Sequence, residues 1–260
     1  MKTVILAGGF GTRIREESID KPKPMVEIGN IPILYHIMKI YRHWGHNDFV
    51  VCLGYKGQII KEYFQDYYLN NTDVKVEIIP PIFSNVSFEA IDEEKFQVIL
   101  SDTGESTQTA GRIKRIQKYL NNERFMMTYG DGLTDANIND IIKFHEKSGT
   151  LATILAVDAP SKFGAVEVDD NGIVTQFKEK LQDGRHINGG FFVLEPEVFK
   201  YIHDDNTSWE TDCLPKLVED KQLAAYKYDG FWKCMDSIKD KEELNKMWNE
   251  NRAPWKVWRD

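Results

Sequence analysis

Thr3-Val4-Ile5-Leu6-Ala7-Gly8-Gly9-Phe10-Gly11-Thr12-Arg13 begins as a largely apolar run and breaks into glycines. A short apolar run bounded by turn residues reads as a buried strand entering a tight loop. In open α/β sheets ligands bind beyond the carboxyl ends of the strands, and this loop must sit there. Glycines let the backbone approach a ligand closely and turn its N–H groups toward an anion. Thr12 and Arg13 add a hydroxyl and a forked cation, both suited to phosphate oxygens. The spacing is neither the Walker pattern nor the dinucleotide GxGxxG. For the glycines alone, a plain turn is an equally good reading.

The same alternation repeats outward from the loop. Ile33, Leu34, Ile37, Met38 and Tyr41 recur at helical spacing up to Gly45. Residues 49–53 are strand-like, and Ile59, Ile60, Tyr63 and Phe64 give a second helix. Residues 125–129 form a further buried strand ending in Gly130-Asp131-Gly132, with a helix over 138–144 after it. Strands separated by helices predict an α/β fold, a mostly parallel sheet flanked by helices. After residue 150 the rhythm changes. Residues 151–157, 165–168 and 187–194 are strand-like, and Asp170-Asn171-Gly172 is a hairpin signal ahead of a strand over 173–177. Residues 240–249 read as a charged helix with Leu244 and Met247 inward, and 80–95 as an irregular insertion. The expectation is one domain over 1–260, with parts at about 1–150 and 151–260 and a small carboxy-terminal extension.

The 260 residues are 42% hydrophobic and 28% charged, with a formal net charge of -8. This acidity argues against general nucleic-acid binding, which needs a basic surface to replace counterions. A local basic pocket for phosphates stays open, because net charge does not fix local potential. Cys52, Cys213 and Cys234 are odd in number and widely spaced, which fits a reducing compartment. The apolar run near Met1 is too short for a signal peptide or a membrane span. A cytoplasmic protein with no membrane partner is expected.

Three further segments carry chemistry. In Lys21-Pro22-Lys23-Pro24-Met25 the prolines restrict the backbone, so an ammonium group can be presented in a fixed place. A solvated turn is the competing reading. Asp131, between glycines at a strand end, suits Mg²⁺, which takes a few carboxylates plus phosphate oxygens; a turn former is the alternative. A second candidate carboxylate, Asp236, ends the aromatic stretch Phe231-Trp232-Lys233-Cys234-Met235.

Together, Gly8-Gly9-x-Gly11-Thr12-Arg13 and Lys21-Pro22-Lys23-Pro24-Met25 closely resemble the signature of the sugar nucleotidyltransferases. The resemblance implies that the glycine loop holds a nucleoside triphosphate and that Arg13 and Lys23 are catalytic, neutralising charge during displacement at the α-phosphorus. The base and ribose are implied to lie against Leu6, Ala7, Gly8 and Gly9, with Phe10, Gly11, Thr12, Thr107, Arg112 and Gly130 completing the nucleotide site. Asp131 and Asp236 become the metal pair for Mg²⁺. Phe177-Lys178-Glu179-Lys180 and Ile187-Asn188-Gly189-Gly190-Phe191 resemble the segments that bind sugar and sugar phosphate, which assigns Lys180 to the phosphate, Glu179 and Asn188 to hydroxyls, and Gly189 to the same site. Leu181 stands where the family usually has proline. Trp209-Glu210 reads either as a further hydroxyl contact or as a helix start.

The likeness runs nearly the whole chain and is nearest to the glucose-1-phosphate cytidylyltransferase branch. Lys23-Pro24-Met25-Val26-Glu27-Ile28-Gly29, Gly54-Tyr55-Lys56-Gly57, Gly111-Arg112 and Ala253-Pro254-Trp255-Lys256 carry it. Ala110 departs from the glycine common there. This narrower resemblance implies CTP and glucose 1-phosphate as substrates and a homo-oligomer, a hexamer in that branch. Trp248, Trp255 and Trp258 serve either such an interface or the core. A dTTP- or UTP-dependent nucleotidyltransferase and a non-catalytic sugar-nucleotide binder remain alternatives. A glycosyltransferase would carry D-x-D where this chain reads Asp131-Gly132-Leu133.

Overall fold

The computed structural model describes residues 1–67, 74–79, 83–88, 95–158, 165–169, 172–178 and 186–259. Among them nine strands form one sheet: β1 (Thr3–Ala7), β2 (Asp48–Leu53), β3 (Gln97–Asp102), β4 (Phe125–Tyr129), β5 (Ala152–Val157), β6 (Ala165–Val168), β7 (Val174–Lys178), β8 (Ile187–Leu194) and β9 (Leu223–Tyr228). The main path runs β7-β6-β8-β4-β1-β2-β3, and β5 joins β8 to β9. Around the sheet pack α1 (Ile33–His43), α2 (Gly57–Gln65), α3 (Thr109–Arg115), α4 (Ile138–Ser148), α5 (Leu214–Glu219) and α6 (Ile238–Asn249).

Successive side chains of a strand face opposite sides, and β1 shows the consequence. Ile5 and Ala7 enter one apolar core with Ile33, Ile37, Met38 and Tyr41 of α1. Val4 and Leu6 enter the other with Ala110 and Ile113 of α3 and Leu214 of α5. All five residues of β1 are buried, as a strand covered on both faces requires. The expected α/β architecture is therefore present, with β3, β2, β1 and β4 parallel.

β8 runs antiparallel to β4, β5 and β6. Direction matters here. Parallel strands deliver their carboxyl ends to one edge of the sheet, whereas an antiparallel strand delivers its first residues to that edge. Leu6 pairs with Tyr129, Ala7 with Leu53, Leu53 with Asp102, and Phe191 with Thr128. The loops after β1, β2, β3 and β4 and the start of β8 at Asn188 and Gly189 thus converge on one edge.

The strand pair Ala165–Val168 and Val174–Lys178 is antiparallel, as the hairpin reading predicts, although Asp170 and Asn171 themselves lie outside the described residues. Within the stretch read as irregular, Phe83–Phe88 is instead a strand, antiparallel to Val74–Ile79. Its alternation of Phe83, Val86 and Phe88 with serine and asparagine is too weak to signal a strand from sequence. Among the described residues no helix is long and apolar enough to cross a membrane.

Core packing takes up the tail tryptophans. Trp255 is fully buried and stacks on Phe231 with ring centres 5.6 Å apart, and its indole N–H donates to His36 Nδ1 at 3.3 Å. Trp248 and Trp258 pack half-buried against the same core. Burial pushes the His36 pKa down to about 4, so near neutral pH the ring is uncharged, accepts at Nδ1 and donates from Nε2 to Ile28 O. Trp255→Ala removes one of the largest fully buried side chains and should cost about 3–5 kcal/mol. The shift of the urea-unfolding midpoint measures it.

Candidate active site

β1 ends at Ala7, and Gly8 to Gly11 turn the chain across the sheet edge. Gly11 adopts a left-handed φ of 64°, its carbonyl accepting from Ser18 Oγ at 3.0 Å and from the Ile14 N–H at 3.1 Å. A cavity of about 370 Å³ opens beside this loop. Leu6, Ala7, Gly8, Gly9, Phe10, Gly11, Thr12, Lys23, Thr107, Arg112 and Gly130 line it, together with Asp131 and Asp236. The residues assigned to nucleotide and metal are thus brought to one place. Glu179 and Lys180 lie outside the described residues, as does the side chain of Arg13.

Two short devices set the charged centre. Gly132–Thr134 pairs antiparallel with Trp232–Cys234, with Gly132 opposite Cys234. The Met235 N–H then donates to Asp131 O at 3.0 Å, which carries Asp236 to the side of Asp131 across more than a hundred residues of sequence. Lys23 comes from a 3-10 turn over Lys23–Met25 that the prolines define. Pro22 precedes the turn in extended conformation, and Pro24 packs so closely on Gly130 that a Cβ there would lie 2.8 Å from Pro24 Cγ.

Lys23 Nζ lies 2.6 Å from Asp131 Oδ2 and 2.6 Å from Asp236 Oδ1. The side chains are 12%, 24% and 11% exposed, so the triad is shielded while still facing the cavity. Burial on its own would lower the Lys23 pKa. The charges of Asp131 and Asp236 outweigh it and hold the ammonium above the ordinary lysine range. Cys234 Sγ lies with one oxygen of each aspartate, all three within 4.8 Å of one another. Two hard carboxylate donors open to a cavity fit a hard divalent cation that completes its shell with water and phosphate oxygens. Sequence reading did not single out Cys234; its place two residues before Asp236 on a strand is the signal that was available.

Arg112 lines the cavity, but its guanidinium is already engaged. Nη1 donates to Leu53 O, Thr103 Oγ1 and Gly104 O, and Nη2 to Gly8 O and Glu105 O, at 2.7–3.1 Å. Burial pushes its pKa below the ordinary value. Arg112 therefore ties the loops after β1, β2 and β3 together. A Cβ on Gly8 would lie 2.1 Å from its Nη1, and a Cβ on Gly54 2.4 Å from the same atom. Both glycines are needed for close approach.

Asn188 and Gly189 do not line this cavity. The Asn188 amide donates to Tyr129 OH at 3.4 Å and accepts from the Gly190 N–H at 2.7 Å, and Gly189 O accepts from Trp232 Nε1 at 2.7 Å. Trp209 is fully buried, which excludes it as a hydroxyl contact, while Glu210 sits on a π-helical turn, Trp209–Cys213, and meets Tyr129 and Thr109. A helix start, one of the two readings of Trp209-Glu210, is therefore present, and Tyr129 is the wall residue that sequence reasoning did not single out.

The triad yields a measurable consequence. A cation entering between the carboxylates competes with the Lys23 ammonium, and a unit charge about 4 Å away is worth about 4 kcal/mol at an effective dielectric near 20. Lys23→Met should therefore raise the affinity of the ligand-free protein for Mn²⁺ by about tenfold or more. Free Mn²⁺ by electron paramagnetic resonance reports it, and unchanged or weaker binding would contradict the competition.

Comparison with known proteins agrees with this geometry. The nucleotidyl transferase profile matches residues 2–260. The chain is 46% identical over 260 residues to glucose-1-phosphate cytidylyltransferase of Salmonella typhi, covering 99% of this chain and all of the relative. It is 44% identical over the same length to a probable glucose-1-phosphate cytidylyltransferase of Bacillus subtilis. Among solved structures, HddC from Yersinia pseudotuberculosis superposes with a TM-score of 0.73 at 25% identity, covering 95% of this chain and 99% of that one. A UDP-glucose pyrophosphorylase complexed with UDP-glucose shares the fold at a TM-score of 0.74 and 16% identity, over 96% of this chain and 99% of its own. Sequence, fold and the clustering of the signature residues at one sheet edge agree: the chain belongs to the nucleotidyl transferase family.

Proposed function

We propose that the chain transfers a cytidylyl group from CTP to α-D-glucose 1-phosphate, giving CDP-glucose and pyrophosphate. The observation that carries this reading is the meeting of Lys23, Asp131 and Asp236 in the cavity of the glycine loop. Full-length identity of 46% to a protein named for this activity supports the choice of substrates.

An oxygen of the sugar phosphate attacks the α-phosphorus, the bond to the bridging oxygen of the β-phosphate breaks, and pyrophosphate leaves with that electron pair. The attacking oxygen is anionic at neutral pH, so no general base is needed. The work is to bring two anions into line and to spread the charge on the leaving group, which is positioning and electrostatic preorganisation. Residues 6–12 hold the nucleotide, Thr107 and Gly130 bound its cavity, and Arg112 keeps the loops in register. Lys23 supplies positive charge to the phosphates, and Arg13 is assigned the same task. Asp131 and Asp236 would hold Mg²⁺, which would offset phosphate charge and help orient the reacting oxygens. Glu179, Lys180, Asn188 and Gly189 are assigned to the sugar phosphate, so residues 1–150 serve mainly the nucleotide and 151–260 mainly the sugar. The same reading has the enzyme at work in the cytoplasm as a homo-oligomer, whose size light scattering measures.

Cytosine and uracil present reversed hydrogen-bond polarity, and each buried group left unpaired by the wrong base costs about 1–3 kcal/mol. With glucose 1-phosphate and Mg²⁺ fixed, kcat/KM for CTP should exceed that for UTP and dTTP by about tenfold or more. Equal values would remove cytidylyl transfer while leaving nucleotidyl transfer in place. Asp131→Asn and Asp236→Asn exchange a carboxylate for an amide of similar size. Each should lower kcat by about a hundredfold or more with the fold retained by circular dichroism, since a charge-bearing ligand is lost where charge develops. Lys23→Ala should lower kcat by a larger factor than it raises KM for CTP.

A further inference from the structure

Behind the cavity wall stands a carboxylate to which no role has been given. Glu210 is not among the lining residues, but Thr109 and Tyr129 are, and both donate to it: Tyr129 OH to Oε1 at 2.6 Å and Thr109 Oγ1 to Oε2 at 2.6 Å. Ser208 Oγ donates to Oε2 as well, at 3.1 Å. Glu210 is held in place by its turn. Ser208 caps that turn by accepting from the Thr211 N–H, and the Trp209 N–H donates to Thr109 Oγ1 at 2.8 Å.

An ionised carboxylate only accepts hydrogen bonds, whereas a hydroxyl has one proton to give and two lone pairs to offer. With the Tyr129 O–H donating to Glu210, its oxygen offers only lone pairs elsewhere. The Asn188 amide already approaches one of them. Lys23 and the glycine loop line the same cavity. The lysine offers it a cation, and the tyrosine oxygen a hydrogen-bond acceptor.

We propose that Glu210 is a positioning residue for substrate choice, fixing the Tyr129 hydroxyl as an acceptor so that the wall beside Asn188 takes a donating hydroxyl of the sugar phosphate. The inference rests on the transferase reading above. It adds that one hydroxyl of the sugar is recognised as a donor, by a tyrosine whose polarity a residue out of contact with substrate decides. In Glu210→Gln a single amide oxygen faces three hydroxyls, and two N–H donors are introduced. The Tyr129 hydroxyl then accepts from the amide and turns its proton toward the cavity.

The test uses glucose 1-phosphate and its 2-, 3-, 4- and 6-deoxyfluoro analogues, in which fluorine replaces a hydroxyl and cannot donate. Turnover of glucose 1-phosphate by the wild-type protein tests the transferase reading by itself. The inference is tested by ratios of kcat/KM, which cancel a general loss of activity. In the wild type, the analogue fluorinated at the recognised hydroxyl should be disfavoured by about a hundredfold or more. Glu210→Gln and, independently, Tyr129→Phe should each shrink that ratio by about tenfold or more at the same position and leave the other positions unchanged. KM for CTP should move less than about threefold in both variants. A ratio unchanged at all four positions in both variants overturns the inference, as does a loss spread evenly over them.

Discussion

Two carboxylates cannot be held side by side in a shielded pocket without a cation between them, and Lys23 is that cation. Much of the local structure is arranged to bring the three groups together. Asp131 needs the end of β4. Asp236 needs the ribbon that pairs Cys234 with Gly132, and Lys23 needs the proline-bounded turn whose Pro24 rests on Gly130. None of these is near the others in sequence. The ion triad joins three separate pieces of chain, and the same geometry leaves its charges facing a cavity large enough for a ligand. A buried pair of this kind contributes little net stability, because desolvation offsets attraction. Its value lies in where it puts charge.

The second tie is Arg112. Its five hydrogen bonds hold three loops that the parallel strands merely bring close. Burying a guanidinium is tolerable only when its N–H groups are satisfied, and here carbonyl oxygens and one hydroxyl do so. The loop backbone beside the cavity is thus held by one buried side chain, stiff where a ligand must be met by N–H and C=O groups.

The sheet was legible because β1, β2 and β4 are buried on both faces and read as unbroken apolar runs. The glycine loop, Lys23 and Asp131 stood out by residue type and spacing, Asp236 was joined to Asp131 by the family resemblance, and all of them line one cavity. The role of Arg112 was not, since an arginine in a motif looks the same whether it reaches for a ligand or for carbonyls. The contacts of Glu210 were hidden for a similar reason. Its neighbours Thr109 and Tyr129 are about a hundred and about eighty residues away, and hydroxyl polarity is decided by contacts that no local pattern records. Phe83–Phe88 was missed because half its residues are small and polar.

Gly8, Gly54 and Arg112 share one volume, in which either glycine given a side chain collides with the same guanidinium nitrogen. Their evolution is therefore coupled. A lineage that changes a glycine must first lose or shrink the arginine, and one that loses the arginine first leaves several buried carbonyls without donors. Each single step is destabilising, so the three positions hold one another in place. Gradual substitution must go around this corner of the pocket and not through it.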